Sequence, residues 1–166
     1  MIQLETIRQL SKYGDWANRL LLGAAAPLSD ALLDQPFEMG PGSLRRTLIH
    51  IYNGEHVWLS RWQRTDIGWP PEVEAVSVAE LGERFSVTQC DRDEFLEKCR
   101  EEELAKMQRY WDSKGGLYFA TLGDMLFQGV NHSTHHRAQA VNMLRRLGAG
   151  VVELDYMMWL RKPAQV

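Results

Sequence analysis

Cysteines, long apolar runs and an excess of either charge are what this sequence has little of. Only two cysteines, Cys90 and Cys99, occur in 166 residues. If they lie on one helix, their spacing puts them on opposite faces, about 13 Å apart along the axis, which excludes a disulfide between them. Neither has a partner at zinc-finger spacing, so they read as two semi-buried thiols of a reducing compartment. The longest small-apolar run, Leu20 to Ala26, is far too short to span a bilayer. Glu5 and Asp15 fall where a signal peptide would be basic, which makes the cytoplasm the expected location. Basic residues number 19 against 22 acidic ones, for a net charge of −3, and the two signs are interspersed. With no basic stripe interleaved with aromatics, neither nucleic acid nor an anionic membrane is an expected partner.

What remains is the composition of a soluble globular protein, 45% hydrophobic and 25% charged. Residues 1–166 suit a single domain, long enough to bury roughly 70% of its unfolded surface. Over residues 3–26 the apolar positions Leu4, Ile7, Leu10, Trp16, Ala17, Leu20, Leu21 and Ala24 recur at helical spacing, and Pro27 with Ser29-Asp30 closes or restarts the pattern. A short segment, Ala31 to Phe37, leads to the loop Gly40-Pro41-Gly42. Ser43 is the predicted N-cap of a second helix running to about Arg64. After Pro70-Pro71, Ser77 and Glu80 have the spacing of a capping box for a third helix, which runs to about Cys99 or Glu101-Glu102-Glu103. Met107 to Ala120, aromatic at both ends around Lys114-Gly115-Gly116, fits a hairpin or irregular excursion better than a helix. Thr121 to Leu147 forms the fourth helix, stopped by Gly148-Ala149-Gly150, and the apolar tail Leu154 to Leu160 is expected to pack back. Four long amphipathic segments predict an all-α four-helix bundle. Its second and third connections are long enough for crossovers, so simple up-down order is not implied.

The chemistry concentrates in Asn131-His132-Ser133-Thr134-His135-His136-Arg137-Ala138-Gln139. Residues i and i+4 share a helix face, so His132 and His136 can aim two imidazoles at one point. Projection at about 100° per residue places His136 about 40° and His132 about 80° from the centre of the apolar stripe, whereas His135 falls on the polar face. On the second helix the stripe is Leu44, Leu48, Ile51, Glu55, Trp58 and Trp62. His50 flanks it beside Gly54, a residue small enough to admit a neighbouring helix. His56 lies on the far side and is set aside. Glu55 is anomalous, because a carboxylate within an apolar stripe is costly unless paired. A lone histidine beside a core is usually just packed and hydrogen-bonded; an i,i+4 pair points more strongly to a metal, since bundles build metal sites this way. No HExxH is present, so the zinc-protease pattern is absent.

These segments resemble the DinB-like family of metal-binding four-helix proteins over nearly the whole chain. The resemblance rests on Tyr13-Gly14-Asp15-Trp16-Ala17-Asn18, on Ser43 to Trp58 around His50, on the Asn131 to Gln139 run, and on Leu154-Asp155-Tyr156. The family's usual HHRGQ stands here as HHRAQ, which leaves the ligand positions untouched. It implies a metal site of His50, His132 and His136, the same trio that helical projection favours, within a four-helix bundle of DinB-like type. Related bundles often pair through helix faces, which makes a homodimer an expectation of the resemblance alone. The family's name refers to induction by DNA damage, hence a stress-response setting.

Some such proteins resemble enzymes that use a low-molecular-weight thiol on an electrophile or in isomerisation. The expected function is therefore a metal-dependent thiol S-transferase, with Zn²⁺ or Ni²⁺ as the ion, a thiol as co-substrate and a small molecule as substrate. Three imidazoles leave an open position on a divalent ion, and Glu55 could orient a ligand imidazole from behind. Arg137 could hold an anionic substrate, the alternative being a solvated arginine on the bundle surface. Two rivals share the site: a small-molecule hydrolase using metal-activated water, and a non-catalytic stress or interaction module with a structural metal.

Overall fold

Hydroxyl side chains start most of the helices. In the computed structural model, which describes residues 2–65, 67–71, 75–150 and 152–161, Ser29, Ser43, Ser77 and Thr121 each accept a backbone N–H three residues on. Such bonds satisfy donors that the first helical turn leaves without partners. They open α2 (Asp30–Leu33), α3 (Leu44–Trp62), α4 (Val78–Lys98) and α5 (Leu122–Arg146). The Ser77 cap is only half of the predicted capping box: Glu80 donates its N–H to Ser77, but its carboxylate accepts from Arg84 one turn later. The first helix, α1 (Leu4–Ala25), lacks a local side-chain cap. Its Leu4 N–H donates instead to the Glu101 carboxylate, 3.0 Å away, on a 3₁₀ turn at Glu101–Glu103.

The predicted excursion is a hairpin, β1 (Met107–Trp111) paired antiparallel with β2 (Leu117–Thr121). Asp112 Oδ1 accepts the N–H groups of Lys114 and Gly116, and so holds the turn. Tyr110 leans on Trp58 of α3, with ring centroids 5.6 Å apart. The tail does pack back: it forms α6 (Tyr156–Leu160), Tyr13 donates its hydroxyl to the Leu154 carbonyl at 2.5 Å, and the Tyr156 and Trp159 rings meet the Tyr13 ring edge-on. Of the two thiols, only Cys99 is buried; Cys90 is exposed rather than semi-buried, and both are free. Among the described residues, no helix is long and apolar enough to cross a membrane.

α5 and α4 each pack against both α1 and α3, which leaves α1 diagonal to α3. Two apolar clusters fill the ends of this four-helix bundle. One joins Leu21, Leu48, Ile51, Phe85, Met143 and Leu144; the other joins Ile7, Trp58, Trp62, Leu96, Met125 and Leu126. Reading each helix from cluster to cluster, α1 and α5 run one way while α3 and α4 run the other. Two consecutive helices that run the same way need a connection as long as the bundle, and the 63–77 segment supplies it. Between the clusters lies a polar layer of Asp15, Asn18, Glu55, Arg92, Ser133 and Arg137, all buried except Glu55, whose side chain is 14% exposed. Arg92 binds Asp15 through two bonds of 2.8 and 2.7 Å, and Asn18 donates to Glu55 at 2.8 Å. Buried charges persist only when paired in this way.

Candidate metal centre

Two turns of α5 and one of α3 bring three imidazoles together. His50, His132 and His136 each offer a ring nitrogen, and these nitrogens lie within 4.8 Å of one another. Ring centroids are 4.2 Å apart for His50 and His136, 4.6 Å for His132 and His136, and 5.0 Å for His50 and His132. A shared divalent ion with bonds of about 2.1 Å would close this span by side-chain rotation. All three rings are half-buried. A site built only of neutral nitrogen donors suits Zn²⁺, Ni²⁺ or another borderline ion and not Ca²⁺ or Mg²⁺, which take oxygen.

Close approach of the two helices makes the convergence possible. A Cβ at Gly54 would stand 2.5 Å from Cε1 and Nδ1 of His132, so that edge of the ring lies against bare α3 backbone. Its Nδ1 is buried with no hydrogen-bond partner. Burial, with His136 and His50 alongside, pushes the His132 imidazole down to about 3, which keeps it neutral and able to donate a lone pair. His136 is oriented from its own helix: Nδ1 is 2.8 Å from Gln139 Oε1. Since an amide oxygen only accepts, Nδ1 carries the proton and Nε2 keeps its lone pair for a metal. The Gln139 amide nitrogen is 3.2 Å from Nε2 of the exposed His135. Gly40, in the left-handed region at φ +51°, packs onto Gln139 so tightly that a Cβ there would meet Oε1 at 2.4 Å. The loop Gly40-Pro41-Gly42 thus covers the residue that aims His136.

Trp69, in the connector after α3, lies 5.0 Å from the His50 ring and 5.9 Å from His132. Beside His132 opens a cleft of about 460 Å³ walled by Trp58, Trp69, Tyr110, Arg61 and Gln128. The Arg61 guanidinium stacks 4.6 Å above Trp58 and 5.5 Å from Tyr110. Gln139 could have been sought from sequence, since it stands one turn after His136 on the same edge. Trp69 and Tyr110 carried no such signal, because they lie in an aperiodic connector and a hairpin.

The other histidines and charged candidates fall elsewhere. His56 stacks on Tyr52 at 5.6 Å and takes no part in the trio. Glu55 accepts from Asn18 on α1 and stands 4.0 Å from Arg137, so no described hydrogen bond links it to an imidazole. Burial pushes its carboxyl above the usual range, against the pull of Arg137, Arg92 and the Asn18 amide. Arg137 is 2% exposed, which overturns the reading of it as a solvated surface arginine. Burial lowers its pKa, opposed by Glu55; it bonds Thr134 at 2.8 Å and does not line the cleft beside His132.

Comparison with known proteins matches this architecture. Protein DinB of Bacillus subtilis is 23% identical over 160 residues, covering 92% of each chain. A DinB-like protein from Bacillus cereus superposes with a TM-score of 0.72 at 22% identity, over 92% of this chain and 99% of that one. YfiT from Bacillus subtilis, described as a probable metal-dependent hydrolase with an unusual four-helix bundle topology, gives 0.64 at 18% identity over 90% of this chain and 92% of its own. The two solved structures share the fold. The DinB family profile extends over residues 1–164, and on that match along nearly its whole length this chain belongs to the DinB family.

Proposed function

We propose that the protein is a divalent-metal-dependent enzyme that transfers a low-molecular-weight thiol to a small electrophile. The convergence of His50, His132 and His136 carries the reading, because three neutral nitrogens and no described carboxylate leave a bound ion room for one more ligand. Zn²⁺ or Ni²⁺ is the ion the donors suit. When bound, such an ion lowers the pKa of a thiol so that thiolate is available at neutral pH. The protein's own residues do the rest. Gln139 fixes the His136 tautomer, Gly54 seats His132, and Trp69 packs beside His50 and His132. The aromatic cleft beside His132 supplies apolar walls for the electrophile.

Thiol is favoured over water by the state of the nearby carboxylates. Asp112 is engaged by the hairpin turn and Asp124 by the Thr121 hydroxyl at 2.6 Å, while Glu55 does not line the cleft. A hydrolase would activate water at the same ion, with a cleft carboxylate as the natural general base, and both cleft carboxylates are already hydrogen-bonded. Hydrolysis is the second reading, supported by the likeness to YfiT and its description. Protein purified without an affinity tag should contain close to one divalent ion per chain and consume electrophiles only when thiol is added. Thiol-independent turnover would point to the hydrolase. Full metal content and full activity in His50→Ala would refute both.

A further inference from the structure

The polar layer holds more hydrogen-bonding capacity than its side chains can satisfy among themselves. It lines a partly open cavity of about 30 Å³ between α1, α3, α4 and α5, with half-buried Leu10 and Val130 at its rim. Four residues lining it each keep a buried polar atom without a hydrogen-bond partner: Glu55 Oε2, Ser133 Oγ, Arg137 Nε and Trp62 Nε1. Ser133 and Arg137 are each 2% exposed and Trp62 is 6% exposed, so bulk water does not serve them. The Glu55–Arg137 separation of 4.0 Å is too long for a direct hydrogen bond and of the kind that a bridging water spans.

The chemistry of the four groups selects the guest. Arg137 Nε and Trp62 Nε1 can only donate, the Glu55 oxygen accepts when ionised and can donate when protonated, and the Ser133 hydroxyl does either. An anion would meet the Glu55 carboxylate, and a cation would meet Arg137 and Arg92. A neutral molecule that both donates and accepts fits, and the volume admits about two waters. We propose that the centre of the bundle is a buried water site, about two molecules hydrogen-bonded by Glu55, Ser133, Arg137 and Trp62. Ser133 and Arg137 each directly follow a histidine of the trio, so these waters sit behind the turns of α5 that present His132 and His136. The proposal does not depend on the metal reading.

A crystal structure of the metal-free full chain, at a resolution that locates solvent, tests it. Two ordered waters are expected within about 2.7–3.2 Å of Glu55 Oε2 and Arg137 Nε. An empty cavity, or Glu55 and Arg137 closed directly on each other, would overturn the proposal. In solution, magnetic relaxation dispersion of water should count long-lived internal molecules in the wild type. The Ser133→Val variant, whose extra methyl occupies the cavity, should lose at least one of them. An unchanged count in a folded Ser133→Val overturns the site as drawn. Should that variant fail to fold, the wild-type density and dispersion still decide.

Discussion

Replacing Gly54 by alanine separates metal binding from folding. The new Cβ would stand 2.5 Å from two atoms of the His132 ring, where ordinary contact begins at 3.4 Å. The imidazole must therefore retreat by about 0.9 Å, against a tolerance of about 0.2 Å in a metal–nitrogen bond. Displacing one of three ligands by several times that tolerance should weaken metal affinity by about 10–100-fold or more. The helix itself gains, because alanine is favoured over glycine in a helix interior by about 1 kcal/mol. In a domain of this size that corresponds to about 2–4 °C in Tm. Competition titration against a chromogenic chelator measures the first effect, and melting by circular dichroism in excess EDTA the second. Weakened metal binding with a metal-free Tm that holds or rises is expected. A Gly54→Ala protein that binds metal as tightly as the wild type would refute the argument that His132 seated on α3 backbone is a ligand.

Gln139→Leu should leave the fold intact but free the His136 ring, lowering metal affinity by about 10–100-fold in the same titration; wild-type affinity would remove Gln139 from the site. Arg92→Ala leaves Asp15 buried without its doubly bonded partner, and should cost about 3–5 kcal/mol in urea unfolding, far more than loss of an exposed ion pair such as Lys98–Glu94. For the metal-free protein, unfolded chains protonate His132 near 6.5 whereas the folded state holds it neutral down to about 3. Below about pH 6.5 the unfolded state thus binds more protons, so stability falls progressively as pH drops through that window. Urea midpoints at pH 7 and pH 5 should differ more in the wild type than in His132→Gln, and equal differences would count against the buried neutral imidazole.

Helix boundaries and the histidine pair were legible in the chain itself. Capping at Ser43 and Ser77, and the apolar stripes of α3 and α5, are local properties encoded within a turn or two of each residue. The i,i+4 spacing of His132 and His136 follows from helix geometry alone, as does the exclusion of His135. Even Gly54 could be recognised as a place of close approach, although not what would approach it. The half-formed capping box at Ser77 shows the limit of local rules: Glu80 had two partners within reach, and Arg84 took its carboxylate.

Tertiary structure decided the rest, because it joins residues that sequence distance separates. Glu55 read as an anomaly in an apolar stripe and became a member of a central polar layer only when α1 supplied Asn18 and α5 supplied Arg137. That Arg137 faces inward, and that Trp69 and Tyr110 from aperiodic segments wall the cleft beside His132, depends on how four helices cross. Periodicity tells which side of a helix is buried. It does not tell which neighbour buries it, and the meeting of His50 with His132 and His136 rests on that second choice.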